Sequence, residues 1–83
     1  MPTILREKGW RLFFYSNEHQ EPIHIHAIKG ETTCKYWIIS EIPLILKARS
    51  SNLSLPLKRE IEVILYKHHR TIQSKWYDYF GEP

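Results

Sequence analysis

Eighty-three residues bound the chain to a single domain, 1–83, with room for one modest core. An apolar content of 42% with 13% aromatics excludes a disordered chain, and one cysteine, Cys34, excludes an internal disulfide and fits a reducing compartment. The net charge of +3 and pI near 9.1 permit an acidic protein partner or RNA, but fall short of a surface that would require nucleic acid.

No stretch approaches the roughly 18 apolar residues of a membrane span, and no apolar run follows the first basic residue as in a signal peptide. A cytoplasmic protein without a membrane partner is therefore expected. A chain this short usually draws stability from a staple, a metal or a partner.

Thr3-Ile4-Leu5-Arg6 reads as a short edge strand behind Pro2, and Glu7-Lys8-Gly9 as a turn. Trp10 to Tyr15 is the strongest strand signal in the chain. Ser16 to Glu21 is a polar turn, and Pro22 holds Glu21 extended. Ile23-His24-Ile25-His26-Ala27-Ile28 alternates with period two and reads as a strand. After a turn at Lys29-Gly30-Glu31, Thr33 to Ile39 is the next strand. Pro43 breaks the following segment, and Leu44-Ile45-Leu46 is read as a short fifth strand at the sheet edge.

Ser54 is a fitting N-cap and Pro56 is tolerated in a first helical turn, so a long helix is expected over about 55–80, ended by Gly81 and Pro83. Leu57, Ile61, Ile64, Leu65, His68, Ile72, Trp76 and Tyr79 recur at spacings of three and four and form its buried stripe. Arg59, Val63, Tyr66, Arg70 and Tyr77 cluster opposite, a composition that resembles an interface. The expected fold is α+β: an antiparallel sheet of four to five strands, over about 3–48, packed on one long C-terminal helix.

Strand parity divides the sheet residues. If Trp10, Leu12, Phe14, Ile23, Ile25, Cys34, Tyr36 and Ile38 face the helix, then Arg11, Phe13, Tyr15, His24, His26, Lys35 and Trp37 share the other face. Cations, imidazoles and aromatics together are an unusual composition for a plain solvated surface.

In order along the chain, Met1-Pro2-Thr3-Ile4-Leu5-Arg6, Arg11 to Glu18, Glu21-Pro22-Ile23-His24-Ile25-His26, Lys35-Tyr36-Trp37 and Trp76 to Gly81 resemble the uncharacterised bacterial "domain of unknown function 4160" family. The resemblance implies a small α+β domain. It also implies a gene lying beside a second small gene, as in a type II toxin–antitoxin pair, and brings no settled activity with it. The chain departs from the family's pattern in having Ile23 where a second proline is usual, Ala27 where valine is usual, and Asn52 for a glycine before the helix. Asn tolerates the left-handed region that such a glycine would take.

Three readings of the open face follow. The first is a metal-independent, RNA-targeting toxin in which His24 and His26 exchange protons, Arg11 or Lys35 supplies positive charge to the phosphorane, and Tyr15 or Trp37 stacks a base. The second is a non-catalytic module that binds the product of the neighbouring gene through Tyr15, Trp37 and His19 or through Tyr66, Arg70 and Tyr77. The third is a metal-binding regulatory domain. His24, His26 and His19 would be the ligands, but their spacing matches no strong metal signature and no metal or cofactor is favoured.

Structural roles stand beside these. His24 and His26 can hold a turn by bonding backbone groups, His68 is a semi-buried stripe residue, His69 faces the stripe's edge, Cys34 is inert packing, and Glu60 and Glu62 are solvated. Whether the protein is an enzyme stays open on the sequence, and an exposed sheet edge allows a homodimer.

Overall fold

The computed structural model describes residues 3–15 and 20–81, which form β1 (Thr3–Glu7), β2 (Trp10–Phe13), β3 (His24–Lys29), β4 (Thr32–Ile38), β5 (Ile45–Ser51) and α1 (Leu55–Phe80). The five strands lie in sequence order in one antiparallel sheet, each paired with the next along the chain. Tight turns impose that order. Lys8 and Gly9 both take positive φ (51° and 83°) between the paired residues Glu7 and Trp10, the two-residue geometry that matches strand twist. Gly30 at φ 58° opens the equally short turn between Lys29 and Thr32. The longer loop before β5 contains a cis Ile42–Pro43 peptide and is closed by Ile39 N–H donating to Leu44 C=O at 2.7 Å.

β5 runs to Ser51, further than the Leu44–Leu46 segment expected from sequence, and its last six residues are exposed. Beyond Leu46 these exposed residues are mostly polar and carry no buried alternation that would mark a strand in the sequence. Asn52 does take the left-handed conformation, at φ 57°, and is fixed by Thr32 Oγ1 donating to its carbonyl at 2.9 Å.

Ser54 caps α1, its hydroxyl accepting from Leu57 N–H at 3.3 Å, and Gly81 ends it at φ 89° with its N–H donating to Tyr77 C=O. The helix buries Ile61, Ile64, Leu65, Ile72 and Trp76 against Trp10, Leu12, Phe14, Ile25, Ala27, Cys34, Tyr36, Ile38 and Ile45. Strand parity is thus as read from the sequence.

The stripe departs from expectation at its end. Tyr79 is 47% exposed, while Tyr77 and Phe80 pack partly buried against the core. Steps of four residues, Ile72 to Trp76 to Phe80, carry the contact line forward around the helix as it crosses the sheet. A fixed 3.6-residue stripe places Tyr79 inward only if the helix runs parallel to its contact line.

Glu60 and Glu62 are not merely solvated. Trp10 Nε1–H and Lys29 Nζ donate to Glu60 Oε1 at 2.7 and 2.6 Å. Tyr36 O–H donates to Glu62 Oε2 at 2.7 Å, and Lys58 Nζ lies 3.0 Å from the same oxygen. The polar tips of two core rings thus reach the flanks of the helix, where sequence periodicity sees only charged residues. His68 Nε2–H donates to Glu7 Oε1 at 2.9 Å, in the half-buried position expected, and His69 Nδ1–H donates to Tyr66 C=O at 2.8 Å.

These contacts set protonation. The hydrogen bonds from Lys29, then from Trp10, hold the Glu60 carboxyl below its usual range, and the His68 bond does the same to Glu7. Burial works to raise Glu62, and the Tyr36 hydroxyl and Lys58 outweigh it, leaving that carboxyl lowered as well. Burial, followed by its bond to Glu62, pushes the Tyr36 phenol up. Burial likewise pushes the Cys34 thiol up to about 12, and Cys34 packs in the core as expected.

Two measurements check this picture. Because the folded pKa values of Glu7 and Glu60 are depressed, the stability they contribute is complete above the unfolded glutamate pKa of roughly 4.3 and is lost as pH falls through their lowered folded values. Urea midpoints taken from pH 7 down to pH 3 will fall along an acid limb whose slope is shallower in Glu60→Gln; an unchanged slope contradicts the clamp. Cys34 will resist a disulfide reagent at pH 8 in the native protein and react fully in denaturant, whereas native labelling at a free-thiol rate would show that the sulfur is accessible.

Candidate functional site

The face of the sheet turned away from α1 carries a groove of about 330 Å³. Its lining includes Phe13 and Tyr15 at one side, His26 and Ile28 from β3, Thr33 and Lys35 from β4, and Arg49 and Ser51 from β5. Register builds it: Phe13, His26, Lys35 and Arg49 are successive cross-strand partners, one residue from each of four adjacent strands. Period-two alternation puts all four side chains on the same face.

The aromatic side is tightly packed. The Phe13 and His26 rings stack with centroids 5.5 Å apart and planes at 22°, and Tyr15 meets His26 edge-on at 4.6 Å. Phe13 and His26 are each only 6% exposed, whereas Tyr15 is 40% exposed. Arg11 does not line the groove; its guanidinium lies over the outer face of Phe13, 4.7 Å from the ring centroid, and its Nε–H donates to Thr3 Oγ1 at 2.8 Å.

His24 has a different situation from His26 despite sharing its strand face. It is fully buried at the start of β3, and Trp76 from the helix closes over it at 5.1 Å. Its Nδ1–H donates to Pro22 C=O at 2.9 Å, which holds the turn into β3, and its Nε2 lies 3.9 Å from Glu21 Oε2. It touches His26 edge-on at 5.1 Å and Trp37 at 5.6 Å. His24 therefore orients the neighbouring ring from behind, and His26 is the imidazole that reaches the groove.

Lys35 is almost completely buried. Its Nζ donates to Glu21 Oε1 at 2.8 Å and lies 4.5 Å from the Trp37 ring centroid. Pairing and a cation–π contact are what make so buried an ammonium tolerable. Arg49 is exposed and forms no ion pair with an acid among the described residues. It was not identified from the sequence, because the expected fifth strand ended before it and its parity depends on an irregularity in β5 that no local pattern marks.

The structure thus brings His26, Lys35 and Tyr15 to one groove and leaves His24 behind it and Arg11 beside it. Trp37 is half-buried next to Lys35. His19 lies outside the described residues, and among the described residues no three His, Cys, Asp or Glu side chains are placed to hold a metal ion.

On the outer surface of α1, Val63 (65% exposed) and Tyr66 (44% exposed) lie with exposed Arg59 and Arg70, while Tyr77 is turned partly inward. A second, smaller cavity of about 260 Å³ lies between β1 and the last helical turns, lined by Thr3, Ile4, Lys75, Asp78 and Tyr79. Among the described residues no helix is long and apolar enough to cross a membrane.

Comparison with known proteins adds the family. No curated protein and no solved structure gives a significant match. One family model, described as a domain of unknown function, matches residues 9–77, which takes in β2 through most of α1 and every residue of the groove. The chain belongs to the DUF4160 family.

Proposed function

We propose that this protein is the RNA-targeting component of a small two-gene module of the toxin–antitoxin type, acting in the cytosol on single-stranded RNA through the uncovered sheet face. The observation that supports the reading is the cross-strand row itself: an imidazole set between an aromatic side and a cationic side of one groove. Metal-independent cleavage of RNA needs a base for the 2′-hydroxyl, an acid for the leaving oxygen and positive charge for the phosphorane. His26 takes the 2′-hydroxyl proton and passes it to the leaving oxygen, Lys35 and Arg49 supply the charge, and Tyr15 offers a surface on which a base can stack. His24 is a positioning residue, holding the His26 ring by contact without reaching the groove.

The test is incubation of purified protein with mixed-sequence RNA in chelator, with expression alone and beside the neighbouring gene as its counterpart in cells. Cleavage and growth arrest are expected, the arrest relieved by the neighbour. His26→Gln, with its melting temperature checked, is expected to lose about 10²–10⁴-fold in rate. Undiminished cleavage by that variant would remove His26 from the chemistry; no cleavage by the unaltered protein would remove the enzymatic reading.

A non-catalytic role in binding the neighbour's product is favoured by a separate observation, the exposed Val63 and Tyr66 beside Arg59 and Arg70 on α1. Aromatic and arginine side chains are the ones that most often anchor interfaces. On this reading Tyr66→Ala and Arg70→Ala each weaken the complex, by about 1 kcal/mol or more, in co-purification followed by titration, and affinity unchanged from the unaltered protein in both variants would exclude the helix surface.

A further inference from the structure

The pairing of β4 with β5 contains an inserted residue that decides what the groove can bind. Ile38, Trp37 and Tyr36 pair with Ile45, Leu46 and Lys47 in step; the next partner of Lys35 is then Arg49, with Ala48 passed over. Pairing without that bulge would set Ala48 opposite Lys35 and would put Arg49 opposite Cys34, on the side that faces the helix. One extra residue therefore re-aims a guanidinium onto the open face, a common use of bulges beside functional sites.

The result is costly unless something compensates. Like charges directly opposite each other across two strands destabilise a sheet, and here Lys35 faces Arg49 over a groove. Lys35 is also 6% exposed, so it cannot rely on water. Glu21 compensates on one side, at 2.8 Å, from the turn that precedes β3. Its side chain is 41% exposed, so water already reaches the carboxylate, which also lies 3.9 Å from His24 Nε2.

We infer that Lys35 and Arg49 form a phosphate subsite in this groove, and that Glu21 is the resident counter-ion that an incoming phosphate displaces from Lys35. The groove's volume of about 330 Å³ lies at the lower end of ligand sites, which run from about 300 to 1,000 Å³, and suits one nucleotide of a single strand. The phosphate lies at the cationic side and the base against Tyr15, which an acidic peptide would leave unused. The inference rests on the reading of this face as an RNA site, but requires binding only and no cleavage.

The experiment is fluorescence anisotropy of a fluorescein-labelled oligouridylate, eight nucleotides long, titrated with the 83-residue protein at several salt concentrations. Uridine 3′-monophosphate, uridine and a polyglutamate peptide serve as competitors. Arg49→Ala, a change at an exposed position, is expected to weaken binding about ten-fold and to flatten the slope of log affinity against log salt by roughly 0.7. Glu21→Gln, with its melting temperature checked because it leaves Lys35 without its paired charge, keeps the shape and removes the competing charge, and is expected to tighten binding several-fold. Uridine 3′-monophosphate should compete and uridine should not.

Unchanged affinity and salt slope in Arg49→Ala overturns the subsite, and weaker binding by Glu21→Gln overturns the displacement. Better competition by polyglutamate than by the nucleotide would assign the cations to an acidic protein instead. Binding with these signatures but without RNA cleavage would uphold the subsite while removing the nuclease reading.

Discussion

A single helix has to close the core of a five-stranded sheet, and nearly every other feature answers to that constraint. Twenty-six residues reach about 39 Å at 1.5 Å per residue, enough to cross the sheet but not to cover both of its faces. The helix must also be held against rolling, since an apolar stripe alone tolerates small rotations. Glu60 and Glu62, on either side of buried Ile61, take hydrogen bonds from Trp10 on β2 and Tyr36 on β4. Because β3 lies between those strands, the helix is tied on both sides of the sheet's central strand. Each tie also satisfies the polar end of a large buried ring, which would otherwise carry the cost of lost hydration.

The uncovered face follows from the same limit. A sheet with one bare face usually makes it polar and solvated. Here that face buries a lysine, a histidine and a phenylalanine to within 6% of full burial, and among the described residues no second layer lies above them. They bury one another: Phe13 stacks on His26, and Lys35 is enclosed by Trp37 and Glu21. Such side chains are held in place before any ligand arrives, which lowers the ordering cost of binding.

What was legible in the sequence was what local rules control. The strand parity of Trp10, Leu12, Ile25, Tyr36 and Ile38, the helix from Leu55 to Phe80, its Ser54 cap and the left-handed Asn52 all express one residue's preference or a short period. What was not legible depends on how elements lie against each other. Tyr79 left the stripe because the buried line advances by steps of four, Ile72 to Trp76 to Phe80, and so drifts around the helix. Glu60 and Glu62 looked solvated because their partners are far away in sequence. Arg49 was missed because it lies beyond the segment whose pattern reads as strand, and one inserted residue then sets its parity. In the histidine pair, spacing correctly placed both rings toward one face, but only the position of Trp76 distinguishes the buried His24 from the groove-lining His26.

That tryptophan has a consequence for the molecule as a mechanism. Trp76 touches His24, His24 touches His26, and His26 touches Tyr15, each through ring contacts of 4.6 to 5.1 Å. The series starts on the last turns of the helix and ends at the mouth of the groove, passing around the end of the sheet. The two sides of the protein are therefore in unbroken ring contact. The imidazole that lines the groove and the last turns of the helix rest on one continuous set of packed rings, so a change of side-chain volume at His24 alters packing on both sides of the sheet.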